Sequence, residues 1–181
     1  QADLLLLNET ASDPIWKEIN EYIKNATLPM VYVGGEAATH VKNAQQAKWT
    51  AFANAYYTYG GAENTLNMLR FLCAEVLGED ISYGEVQRIP WDAIFAPDGT
   101  LYDSPESYFA DYPRSEKGTI ALVISRSAWV SDDMQVENCL IREIRNAGFS
   151  VLPIFTYAMA DKNLGAFGVE AALEKFCFLS D

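Results

Sequence analysis

Chemistry in this chain must come from a small set of side chains. Arg126 is followed by Ser127, Trp129, Ser131 and Asp132 in one short loop. A guanidinium can clamp a carboxylate with two parallel hydrogen bonds. Trp129 offers a flat apolar face, and Ser131 with Asp132 reads as a helix start whose free N–H groups favour an anion. An apolar macrocycle bearing carboxylates would suit such a loop. The alternative is a local role: Arg126 pairing with a nearby acid, Trp129 packing in the core and Ser131 acting as a simple cap.

Other chemistries find little support. His40 is the only histidine, so a zinc site of the usual kind and a Ser-His-Asp triad both lack partners. No metal-ligand set is read from the sequence. Cys73, Cys139 and Cys177 are odd in number and widely spaced, each within an apolar pattern. They read as buried thiols of a reducing compartment. Gly34-Gly35 lacks the G-x-G-x-x-G pattern of a dinucleotide site, and no P-loop is present. The paired acids Glu79-Asp80 and Asp132-Asp133 fit caps and a solvated face.

The elements that would position these groups are legible from periodicity. Leu4 to Leu7 reads as a buried strand. Asp13-Pro14 opens a helix carrying Ile15, Ile19, Tyr22 and Ile23, and Met30 to Val33 is a second strand. Strand, helix and strand in so few residues predict a parallel, right-handed unit. A helix over 43–59 turns Ala44, Ala47, Ala51, Phe52, Ala55 and Tyr56 inward. After Gly60-Gly61 a second helix over 62–77 turns Leu66, Leu69, Cys73, Val76 and Leu77 inward, with Glu63 in its first turn and Gly78 as its stop.

Residues 79–116 are irregular but rich in aromatics, from Trp91 to Tyr112, and read as a packed connector in which Ser104-Pro105 starts a short helix. Thr119 to Ile124 is a near-continuous apolar strand of the kind covered on both faces. A helix from near Asp132, with Val136, Leu140, Ile144 and Ala147 inward, leads to a strand over 151–157 and a last helix over 169–176. The expected fold class is α/β: a three-layer α/β/α arrangement with a mostly parallel sheet, flavodoxin-like or Rossmann-like. The expected organisation is a first α/β unit with two following helices (1–78), the connector (79–116) and a second α/β unit truncated at its C-terminus (117–181).

Composition narrows the function classes. The chain has 181 residues, 50% of them hydrophobic, and a net charge of −12. That acidity opposes unspecific binding to a phosphate backbone and to an anionic membrane surface. No apolar run is long enough to cross a bilayer, and a cytoplasmic location is expected. The chain opens on Gln1 and closes on Phe176 to Asp181, an apolar run just beginning, so a portion of a longer polypeptide is expected.

Four segments in order carry a family resemblance. Tyr56-Tyr-Thr-Tyr-Gly-Gly-Ala-Glu-Asn64 resembles a Y-x-x-x-G-G-x-E-N helix start. Ile94-Phe-Ala-Pro-Asp98 and Ser107-Tyr-Phe-Ala-Asp-Tyr-Pro113 resemble the G-I-Y-H-P and Y-L-x-W-Y-P connector of the same family. The stretch Gly118 to Val130 is similar to its strand and Y-R-S-H-W loop, and Gly148 to Phe155 to its G-L-N-V-L-P-V-F strand. The family is that of the CobN-type large subunit of cobaltochelatase, in cobalamin biosynthesis, and the H subunit of magnesium chelatase, in chlorophyll biosynthesis.

The resemblance implies an N-terminal portion of a ligase that forms nitrogen–metal bonds, inactive alone. The parent would bind a tetrapyrrole and a divalent metal, cobalt or magnesium, while partner AAA+ subunits hydrolyse ATP; this portion would hold no cofactor of its own. Arg126, Ser127, Trp129, Glu63 and Asn64 carry over as substrate-binding candidates, and Gly60 and Gly61 as backbone geometry. Ala128 and Ala96 stand where the family patterns carry His. Outside the family, the residues also suit a small-molecule-binding α/β sensing module or an interaction scaffold.

Overall fold

The computed structural model describes residues 2–8, 23, 25–35 and 37–178. The helix expected from Asp13 and the residue Glu36 lie outside the described residues, Ile23 apart. The chain divides into two compact units, 1–89 and 90–181. The division falls inside the span expected as a connector, so residues 79–89 join the first unit and the rest joins the second.

In the first unit β1 (Leu5–Asn8) and β2 (Met30–Val33) pair in parallel, from Leu5 opposite Met30 to Asn8 opposite Val33. Helix α1 (Ala44–Tyr59) starts at Asn43, whose side chain accepts from Gln46 N at 2.9 Å. It buries Gln46, Thr50, Ala53 and Tyr56. Of the expected inward stripe only Tyr56 is buried; Ala44, Ala51 and Phe52 are exposed.

The reason is the edge of β2. Gln46 Nε2 donates to Met30 O at 3.1 Å, Thr50 Oγ1 accepts from Tyr32 N at 3.3 Å and Asn54 Oδ1 accepts from Gly34 N at 2.8 Å. Four residues of helix rise about 6 Å, and two residues of strand about 6.6 Å. Polar residues spaced by four on α1 therefore match alternate backbone groups of β2. A buried polar group with its partner is tolerated where an unpartnered backbone group is not.

Helix α2 (Ala62–Glu75) buries Asn64, Asn67, Met68, Phe71 and Leu72. The expected inward residues Leu66, Leu69 and Leu77 are exposed, while Val76 is half-buried against the core. That core joins Val31, Val33, Ala53, Tyr56, Met68, Phe71 and Leu72. The amides of Asn64 and Asn67 turn inward because they hold the following segment. Gly84 N donates to Asn67 Oδ1 at 2.8 Å, and Tyr56 Oη donates to Gly84 O at 2.6 Å.

The second unit is a four-stranded sheet in the order β4-β3-β6-β5. Its strands are β3 (Asp92–Phe95), β4 (Leu101–Tyr102), β5 (Thr119–Ser125) and β6 (Ser150–Thr156). β5 and β6 run parallel over seven residue pairs, whereas β3 is antiparallel to both β6 and β4. The β3–β4 hairpin, not expected from the connector's composition, turns where Gly99 N donates to Ala96 O at 2.9 Å and Gly99 takes φ 89°.

Helices cover both faces. On one lie α4 (Arg126–Val130) and α5 (Gln135–Asn146), against Ala93, Phe95, Val151 and Phe155. On the other lie α3 (Pro105–Asp111), capped by Ser104, and α6 (Val169–Cys177), against Ile94, Leu152 and Ile154. The class is α/β, and this unit has the expected three layers.

Three local expectations change. β5 is an edge strand, not one covered on both sides, with Ile120 39% and Val123 38% exposed. Helix α5 begins at Gln135 rather than Asp132 and packs Ile141 and Ile144, with Met134 before them, on Phe155 and its neighbours, while Val136, Leu140 and Ala147 face out. Cys139, expected to be buried, is exposed on its outer side, and all three cysteines are free thiols.

Candidate functional site

The connection leaving β5 passes to one face of the sheet, and the connection leaving β6 passes to the other. Between their carboxyl ends lies the crevice that open α/β sheets use for ligands. Ser125 to Ser127 border it from β5, and Thr156 and Tyr157 from β6. Asp92 opens β3 opposite Thr156, whose hydroxyl donates to the Asp92 carboxylate at 2.5 Å.

Arg126 is buried here. Its Nε donates to Pro90 O at 2.8 Å, and its guanidinium lies 4.4 Å from the centroid of the Trp91 ring. Trp91 in turn packs on Tyr157 at 5.3 Å, and Tyr157 N donates to Trp91 O at 3.0 Å. Arg126 thus fixes the Pro90-Trp91 segment at the mouth of the crevice. Ser125 and Ser127, both exposed, share a 2.7 Å hydroxyl contact, and Ser125 Oγ accepts from Ser127 N. Ser125 is therefore the helix cap of this loop. Ser131, expected to open a helix, closes α4, and Asp132 takes φ 56° beyond it. Trp129 is half-buried, with its ring 5.0 Å from Phe155 in the core.

Beside the crevice runs a groove of about 510 Å³ whose lining includes Pro90, Trp91, Asp92, Phe167 and Lys175. Phe167 is 76% exposed. A second hollow of about 520 Å³ shares Pro90, Asp92 and Lys175 and continues toward Tyr102 and Ser107. The aromatic side chains suit a planar ligand, and Lys175 and Asp92 give the groove one charge of each sign. Sequence reasoning did not single out Phe167 or Lys175, which stand in ordinary loop and helix surroundings. Trp91, directly after Pro90, was read only as part of the connector.

The other motif residues belong to the first unit. Gly60 (φ 69°) and Gly61 (φ 88°) both need the conformational freedom of glycine. Glu63 is exposed, and its carboxylate accepts from Asn67 Nδ2 at 3.1 Å. Asn64 is buried, with Nδ2 donating to Gly60 O at 2.7 Å and to Gln87 O at 2.9 Å. His40 is half-buried beside the Tyr32 ring at 5.4 Å. Among the described residues no three His, Cys, Asp or Glu side chains gather in a way that could hold a metal ion. Among them, too, no helix is long and apolar enough to cross a membrane.

The second unit is thus of the three-layer α/β class, with the Arg126 loop and Tyr157 at the carboxyl ends of its two parallel strands. Residues 54–179, which include both the Gly60-Gly61 turn and the Arg126 loop, match the family model for CobN/magnesium chelatase, and the chain belongs to that family. An uncharacterized protein of Methanocaldococcus jannaschii is 29% identical over 180 residues, 99% of this chain and 13% of its own length. The catalytic subunit of cobaltochelatase from Mycobacterium tuberculosis shares the fold, with a TM-score of 0.59 and 20% identity over 90% of this chain and 13% of that one. The chain therefore spans 13% of the length of each.

Proposed function

We propose that this chain is a portion of a tetrapyrrole metal-chelatase large subunit, cobaltochelatase-like, acting in the cytoplasm. In this reading its crevice and groove form one wall of the macrocycle site. The observation that carries it is the family match across the residues that build that wall. The groove chemistry supports it: a macrocycle face packs on Trp91 and Phe167, and Lys175 pairs a peripheral carboxylate.

Arg126 acts here as a positioning residue, because its guanidinium lies over Trp91 and its Nε bonds Pro90 O. Trp129 anchors the same loop to the core, and Ser127 presents its hydroxyl at the mouth. Asn64 holds the Gly60-Gly61 turn of the first unit through Gly60 O, and Glu63 accepts from Asn67 beside it. The metal ion is substrate, a divalent cation delivered by ligands elsewhere in the longer polypeptide; Ala96 and Ala128 supply no imidazole here. Partner AAA+ subunits hydrolyse the ATP that drives insertion.

The test is titration with a carboxylated porphyrin, followed by tryptophan quenching. Lys175→Gln weakens binding by about 1.5- to fivefold, the scale of one solvent-accessible ion pair. Unchanged affinity in that variant removes Lys175 from the site.

A further inference from the structure

We infer that the free edge of β5 is a strand-acceptor site, filled by polypeptide that follows residue 181 in the longer protein and runs parallel to β5. Three observations carry this.

The edge itself is unguarded. β5 reads Thr-Ile-Ala-Leu-Val-Ile-Ser, with neither charge nor proline, and among the described residues it pairs on one side only, with β6. Edge strands left open to solvent are ordinarily short, charged, kinked or covered. Ile120 and Val123 point to opposite faces of the sheet, and both are exposed. A helix laid on one face would cover only one of them, whereas a neighbouring strand with its own side chains adjoins both. Gly118 O accepts from Ser150 N at 3.0 Å, so the even-numbered residues of this stretch face β6. By alternation the N–H groups of Ala121 and Val123 face the open edge.

The topology assigns the direction. β5, α5 and β6 form a parallel crossover with α5 on one face, while α6, which follows β6, lies on the opposite face. Parallel crossovers are right-handed. A helix on the opposite face therefore leads the chain back in the opposite sense, away from β3 and past β5. The side of β6 away from β5 is already taken by β3.

The end of α6 stands where such a strand would begin. A groove of about 460 Å³ brings Thr119 and Ala121, at the start of β5, together with Phe176, Cys177 and Phe178 at the end of α6. Phe178 is extended, at φ −104° and ψ 119°. The relatives in this comparison are several times longer than this chain, so such a strand has polypeptide to come from.

The experiment is amide hydrogen exchange on the 181-residue chain and on the longer polypeptide, reading Ala121 and Val123. In the longer polypeptide these amides exchange roughly a hundredfold more slowly than in the short chain, with the β6 amides little changed. Fast exchange of Ala121 and Val123 in the longer polypeptide overturns the inference by itself, whether or not the short chain folds. So does protection already present in the short chain that rises with its concentration and is unaltered by extension, since a second copy would then occupy the edge.

Discussion

The side chain of Asn64 pairs with the backbone of Gln87 as a neighbouring strand would. Oδ1 accepts from Gln87 N at 2.8 Å, and Nδ2 donates to Gln87 O at 2.9 Å. The same Nδ2 holds Gly60 O, so one buried amide ties the Gly-Gly turn to the segment that leads out of the first unit. Asn64→Ala leaves three backbone groups without this partner, at a cost of about 1–3 kcal/mol. Urea denaturation reads the loss, and limited proteolysis shows new cleavage within 79–89. Unaltered stability with unaltered cleavage would remove Asn64 from this role.

Gly61 sits at φ 88° and ψ 155°, a region that side chains with a Cβ rarely enter. Gly61→Ala is expected to destabilise the first unit by about 1–3 kcal/mol. Gly35→Ala, with open space around its Cα, is the control and costs far less. Equal midpoints for the two variants in thermal melts would contradict the assignment.

Arg126 should be irreplaceable by lysine. A planar guanidinium stacks on Trp91 while its Nε bonds Pro90 O, and an ammonium cannot do both. Both Arg126→Ala and Arg126→Lys are expected to cost about 2 kcal/mol and to shift tryptophan emission to the red as Trp91 loosens. Rescue of stability and emission by lysine would show that charge alone matters.

Tyr102 supplies a pH dependence. Burial, then the hydrogen bond to Asp111, push its phenol up to about 12. The folded state favours the neutral phenol, while in the unfolded chain it ionises near pH 10. Its contribution to stability is thus fully present below pH 10 and is lost as pH rises from 10 through about 12. Absorbance titration should show a late tyrosine that disappears in Tyr102→Phe. If every tyrosine ionises near pH 10 in the native protein, this environment is wrong.

Much of this architecture is legible in the sequence, and the parts that are not share a cause. The strands over 30–33, 119–125 and 150–156 and the helices over 44–59 and 62–75 follow from their patterns and stops. The faces of the helices do not, because periodicity scores apolar residues. Gln46, Thr50, Asn64 and Asn67 are buried through backbone groups that are distant in sequence. The same holds at the candidate site. Gly60 and Gly61 announce a special turn by their type alone. Arg126 announces a charge, but its partners Pro90 and Trp91 lie some 35 residues earlier, in a stretch whose hairpin no simple pattern marks. The family motifs stand in register in the sequence, while the groove with Phe167 and Lys175 emerges only when loop and helix meet.

A macrocycle wall built on Trp91 is tested by titration of this chain with a carboxylated porphyrin, monitored by tryptophan quenching and by porphyrin absorbance, in the wild type and in Trp91→Ala. Saturable micromolar binding is expected, and Trp91→Ala weakens it about tenfold, as loss of an aromatic stacking face would. Binding that is unsaturable, or equally tight without the Trp91 ring, would contradict it and move the macrocycle site to another part of the longer subunit.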